Sequence, residues 1–245
     1  MQPSSPSTQA ADCAVVELRQ YTLHPGRRDA LIDLFDREFV ETQEATGMRV
    51  MGQFRDLDRP DHFVWLRGFT DMEARRQALQ AFYGGPVWAA HRDAANATMV
   101  DSDDVLLLRP AWPGAGLPVP QARPAVADGR PAAGLLDATV FHLRAPADEA
   151  LAELSRMTRV LVEGGATAVG WYVTEPSPNT FPRLPVREGV PVLVGLALFP
   201  DLERFDAFAA SGRWARDAAP ALRPFLARPP QALRLVPPSR SAIRA

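Results

Sequence analysis

Residues 15–22, VVELRQYT, alternate: Val16 and Leu18 share one side, Glu17, Arg19 and Tyr21 the other. That period of two predicts a half-buried strand. Pro25-Gly26 ends the alternation. From Arg27 the apolar positions recur as Ala30, Leu31, Leu34, Phe35 and Phe39, one helical stripe that should stop near Gly47. MRVMGQFRDL (48–57) and HFVWLRGF (62–69) read as the second and third strands. Asp71 stands where a helix N-cap belongs, ahead of MEARRQALQAF. Gly84-Gly85-Pro86 interrupts that helix, VWAAHRDAANATM continues it, and DVLLLRP (104–110) is the fourth strand. The order is βαββαβ, the ferredoxin-like split motif.

The pattern then starts again. Six prolines lie from Pro110 to Pro131, a semi-rigid linker or surface strap. Beyond it DALIDLF at 29–35 matches EALAELS at 149–155, Gly52 falls on Gly170, Phe69 on Phe199, Asp71 on Asp201 and Trp88 on Trp214. The offset between matched residues grows from 118 to 130, placing an insertion in EPSPNTFPRLPVREGVP. The expected organisation is a disordered tail (1–13), a first domain (14–110), a linker (111–135), a second, diverged domain (136–238) and a C-terminal tail (239–245). A four-stranded sheet with helices on one face must cover the other. The expected fold is therefore α+β: two tandem ferredoxin-like repeats whose free sheet faces meet in a pseudo-dimeric α+β barrel.

ELRQYTLHPG, RRDALIDLF, HFVWLRGFTDMEARRQAL and GGPVW together resemble the NIPSNAP family, within the dimeric α+β barrel superfamily. NTFPRLPVREG is similar to a loop of tandem bacterial members. The resemblance implies the tandem barrel but no particular activity. Related barrels include cofactor-free monooxygenases, haem-degrading enzymes and haem-binding proteins, a likeness of fold only.

Composition narrows the field. Hydrophobic residues make up 47% and charged residues 23% of 245 residues, and the net charge is -2. That is a soluble globular profile, with no basic surplus for nucleic acid. No run is long and apolar enough for a bilayer, and the N-terminus lacks a signal-peptide pattern, so a cytoplasmic protein is expected. One cysteine, Cys13, excludes an internal disulfide, and His24, His62, His91 and His142 show no metal-ligand spacing. No metal or cofactor is expected. No P-loop, G-x-G-x-x-G or G-x-S-x-G motif occurs.

The candidate chemistry lies on the strands. Glu17, Arg19 and Tyr21, with Met51, Gln53, Trp65 and Arg67, are assigned to the face opposite the helices, where they would line the space between the sheets. An arginine there could clamp a carboxylate or enolate, and Glu17 could act as a base. The plainer alternative is that Glu17 simply pairs with Arg19 or Arg67. Matched positions in the second half are depleted: Asp137, Thr139, Phe141, Gly195 and Ala197, with Trp171 opposite Gln53. The insertion offers Asn179, Phe181, Arg183 and Arg187 as a lid over the barrel mouth, or as a surface strap. Three readings follow: a protein binding a small, partly hydrophobic anion between the sheets; a cofactor-independent monooxygenase or isomerase; a non-catalytic interaction module. Outer helices and open edge strands leave room for a homodimer.

Overall fold

Strand alternation and helical stripe fall where the pattern puts them. In the computed structural model, which describes residues 13–120, 122–126 and 132–245, the opening strand is β1 (Val15–Leu23). The helical stripe becomes α1 (Arg28–Leu34), a π-helical turn (Phe35–Phe39) and α2 (Val40–Glu44). Then come β2 (Arg49–Asp56), β3 (His62–Phe69), α3 (Met72–Tyr83), α4 (Pro86–Asn96) and β4 (Met99–Pro110). Asp71 caps α3 by accepting from the Ala74 N–H at 2.7 Å, and Pro86 opens α4, where its missing N–H costs nothing.

The same order recurs: β5 (Leu135–His142), a 3₁₀ stretch (Ala147–Glu153) running into α5 (Leu154–Glu163), β6 (Ala168–Thr174), β7 (Val192–Phe199), α6 (Leu202–Ala210), α7 (Arg213–Asp217), α8 (Ala219–Leu222) and β8 (Gln231–Val236). Asp201 caps α6 as Asp71 caps α3, accepting from the Arg204 N–H at 2.8 Å. The tail expected over residues 1–13 lies, apart from Cys13, outside the described residues.

Each half forms a four-stranded antiparallel sheet, ordered β4-β1-β3-β2 and β8-β5-β7-β6, and the sheets join edge to edge into one closed eight-stranded barrel. The seams are short. Arg55 and Asp56 pair with Val236 and Leu235; Leu108, Arg109 and Pro110 pair with Thr174, Val173 and Tyr172. The open edge strands expected for a homodimer are therefore absent among the described residues, because closure pairs them. No described helix is long and apolar enough to cross a membrane.

The barrel interior is apolar. Val16, Leu18 and Leu66 meet Leu136, Val194 and Leu196 across it, all fully buried. Each such side chain contributes about 2 kcal/mol relative to exposure. The segments expected as linker and tail both pack into this core. Leu117 packs against the core, its N–H donating to the Tyr172 hydroxyl at 2.8 Å. Gly170 makes room for it, since a Cβ there would lie 2.5 Å from the Leu117 nitrogen. At the C-terminus Ile243 enters the same core and donates to the Met51 carbonyl at 3.0 Å. The segment expected as a tail is thus part of the core.

Candidate functional site

With the barrel filled by Val16 and Leu18, the other face of β1 points outward, under the helices. Tyr21 and Trp65 belong to the cluster formed with α1–α4, together with Phe35, Phe39 and Phe82. This corrects the expectation that Glu17, Arg19, Tyr21, Trp65 and Arg67 line the space between the sheets. They lie between the first sheet and its helices. Met51 does face the barrel, because a bulge between Val50 and Gly52 resets the alternation of β2.

Glu17 is fully buried and ringed by three buried guanidiniums. Its Oε2 accepts from Arg19 Nη1 at 2.6 Å and Arg67 Nε at 2.7 Å, and its Oε1 from Arg75 Nε at 2.7 Å. Burial alone would raise the carboxyl, but Arg67, Arg19 and Arg75 together hold it far below the ordinary carboxylate range. Glu17 therefore stays ionised and has no pull for a proton: it is a counter-ion, not the general base. The pairing reading named Arg19 or Arg67; Glu17 pairs with both, and with Arg75 as well.

Three cations around one carboxylate leave the cluster with a surplus of positive charge in a buried place. Its polar atoms are also incompletely matched. Among the described residues Arg67 Nη2, Arg75 Nη2 and the Trp65 indole Nε1 are buried without a hydrogen-bond partner. Arg19 Nε donates to the Tyr21 hydroxyl at 3.0 Å, and Arg67 Nη1 to the Tyr83 hydroxyl at 3.3 Å. The Arg67 guanidinium lies 5.0 Å from the Trp65 ring centre, a cation–π contact. Burial raises the Tyr21 phenol, so it stays protonated at neutral pH.

An aromatic chamber adjoins this cluster. Tyr21, Tyr83, Trp88, Met99, Phe181 and Leu184 help to line a cavity of about 160 Å³ that carries Asn96, Ser102 and Arg183 on its wall. A smaller void of about 30 Å³ between Tyr21, Phe35, Gln43 and Trp65 shares several of the same side chains. Trp65 is set by edge-on contact with Tyr21 at 6.0 Å and Phe35 at 4.9 Å. The π-helical turn carries Phe35 and Phe39, whose rings also meet edge-on, at 5.9 Å.

The insertion covers this chamber, not the barrel mouth. Asn179 Oδ1 and Thr180 Oγ1 accept from Arg75 Nη1 at 3.0 and 3.1 Å, and Phe181 stacks on Tyr83 at 6.0 Å. Arg75 thus joins Glu17 of the first half to a strap contributed by the second. Arg183 stands over Phe181 at the rim, while Arg187 turns away to Asp104 at 3.1 Å. Gln53 donates to Asp36 at 2.9 Å, and burial raises that carboxyl to about 6. Of the predicted residues, Glu17, Arg19, Tyr21, Trp65, Arg67, Asn179 and Phe181 come together; Gln53, Arg187 and Trp171 do not.

Two members were missed. Arg75 sits on the buried stripe of α3 with Ala78, Leu79 and Phe82, and an arginine on an apolar stripe was the available signal. Tyr83, at the end of the same helix, carried none. In the second half Trp171 donates its indole N–H to Thr158 Oγ1 on α5 at 2.8 Å. It occupies the space left by its strand partner Gly195, whose Cβ would lie 2.6 Å from the ring. Asp137, matched to Glu17, has only Thr139 for a side-chain partner among the described residues, at 3.4 Å, and burial raises it to about 6.

Residues 16–112 match the family model NIPSNAP. A search of curated proteins finds no relative. Among solved structures, a protein described as a candidate monooxygenase from Lactobacillus acidophilus superposes with a TM-score of 0.58 at 12% identity, over 96% of this chain and 100% of that one. An anthrone oxidase-like protein superposes at 0.57 with 15% identity, over 94% of each chain. A NIPSNAP-like domain protein from Burkholderia xenovorans is 25% identical, with a TM-score of 0.36 over 45% of this chain and 90% of that one. At these identities the two full-length likenesses speak for the fold.

Proposed function

We infer that this chain, which carries a NIPSNAP domain over residues 16–112, binds a small, partly hydrophobic anion in the first half, between sheet and helices. The halves are read as diverged tandem copies of one ferredoxin-like unit, a pseudo-dimer in which the first copy keeps the site and the second supplies its strap. The observation that carries the reading is the buried cluster of Arg19, Arg67 and Arg75 around a single carboxylate, Glu17, with N–H groups of Arg67, Arg75 and Trp65 unpartnered among the described residues. Unmatched buried charge costs several kcal/mol, and an anion held by those donors offsets it. The aromatic chamber supplies the apolar contact, and its size suits a single ring, since a cavity of about 150 Å³ holds benzene.

An oxygenase or isomerase reaction at the same place is the second reading, supported by the fold shared with the candidate monooxygenase and the anthrone oxidase-like protein. In that version the guanidiniums stabilise an enolate-like anion, and the proton acceptor is a group other than Glu17.

Tryptophan fluorescence during titration with benzoate tests binding. Saturable quenching by benzoate but not by neutral benzamide, weakened about tenfold in Trp65→Phe, is the expected result. Equal binding of benzamide, or no saturation, defeats the reading.

A further inference from the structure

A larger cavity, about 610 Å³, opens at the β4–β6 seam in the second half. Leu107, Val173, Val186 and Val192 give it apolar walls, and the insertion and the 3₁₀ stretch roof it. It shares no lining residue with the aromatic chamber.

The first half explains why it is hollow. There the matching corner is filled by Arg28, the first residue of α1. Its Nη1 reaches across the β2–β3 hairpin to the carbonyls of Asp56 at 2.9 Å, Arg59 at 3.3 Å and His62 at 3.4 Å. The offsets that align the halves place Arg28 on Asp148, Asp56 on Thr174 and His62 on Val192. Asp148, Thr174 and Val192 all line the seam cavity. A guanidinium plug on one side is replaced by a short carboxylate on the other, while the longer hairpin insertion keeps the corner roofed.

The charges on the wall have the complementary sign. Carboxylates of Asp148, Glu175 and Glu188 outnumber the guanidiniums of Arg109 and Arg187; Arg187 serves Asp104 at 3.1 Å, Glu175 accepts from the Ser177 N–H at 2.9 Å and Glu188 from the Asn179 N–H at 2.6 Å, while Asp148 holds the place of Arg28. We propose that the seam cavity is a second ligand site, for a molecule with an apolar body and a cationic nitrogen head, a primary ammonium or guanidinium, that takes the place Arg28 fills in the first half. Pockets of this volume and lining accommodate small organic molecules. The proposal is independent of the anion reading of the first half.

Calorimetric titration of the full chain with octylammonium and octanoate, at low salt, decides it. Saturable binding of octylammonium is expected, abolished by Asp148→Arg, which restores the plug, and weakened about fivefold by Asp148→Asn. Trp65→Phe leaves it unchanged. Asp148 is exposed, so both variants should fold, and their unfolding transitions verify this. Absence of saturable octylammonium binding, persistence of it in Asp148→Arg, or octanoate displacing octylammonium with equal affinity overturns the proposal.

Discussion

Position for position, the two halves put opposite chemistry under the same helices. In the first, Glu17, Arg19, Arg67 and Arg75 form a buried ionic cluster beside aromatic rings. In the second, the matched residues Asp137, Thr139, Ala197 and Phe205 leave one weakly partnered carboxyl in an apolar layer. The tryptophans show the same exchange. Trp65 stands on β3 opposite Gln53, whereas in the second half the ring has moved across the strand pair to Trp171 and Gly195 remains opposite. Trp171 satisfies its N–H on Thr158; Trp65 finds no such partner among the described residues. Similar backbones thus carry one layer closed on itself and one left with donors to spare, and that difference locates the candidate site.

The contrast is broken most severely at its acids. Glu17→Gln strips the counter-ion from three buried guanidiniums and should destabilise the fold by about 3–5 kcal/mol in denaturant titration at pH 7. Asp137→Asn, at the matched position, should stabilise it by about 2 kcal/mol. A carboxyl raised to about 6 in the folded state favours the protonated form. Stability from Asp137 is therefore present below the ordinary Asp range and declines as pH rises through about 6. Asp137→Asn should flatten that decline, leaving the part due to Asp36, which is raised likewise. Equal signs for the two substitutions would erase the comparison.

Gly195→Ala comes next, because its Cβ would press on the Trp171 ring at 2.6 Å. A loss of about 1–3 kcal/mol on thermal unfolding is expected. The smallest effect sharpens the indole contrast. Thr158→Val leaves the Trp171 N–H unpaired, as the Trp65 N–H already is among the described residues, and should cost about 1 kcal/mol or somewhat more by the same measurement.

The elements were legible because their signals are local: alternation in VVELRQYT, the apolar stripe from Ala30 to Phe39, the caps at Asp71 and Asp201. The set of residues sharing the polar face of β1 was legible too. Which way that face points was not. Period two groups residues but does not orient the group, and in a closed barrel both faces of β1 are buried. The strap's seat was hidden for another reason: Asn179 and Thr180 bond Arg75 across more than a hundred residues, and no local pattern encodes such a contact. The seam cavity was not legible: the matched segments begin at Asp29 and Glu149, one residue past Arg28 and Asp148, and what Arg28 does is seen only in the fold.

The dependence of the first half on the strap sets an order of events during synthesis. As the chain leaves the ribosome, the N-terminal sheet and its helices can form once β4 has emerged, and domains generally fold in that order. At that stage the edges of β2 and β4 have no partners, and the Glu17 cluster lacks Asn179, Thr180 and Phe181. The nascent half would expose bare strand edges and uncovered aromatic rings until roughly the last third of the chain is made, a window in which chaperone protection matters most.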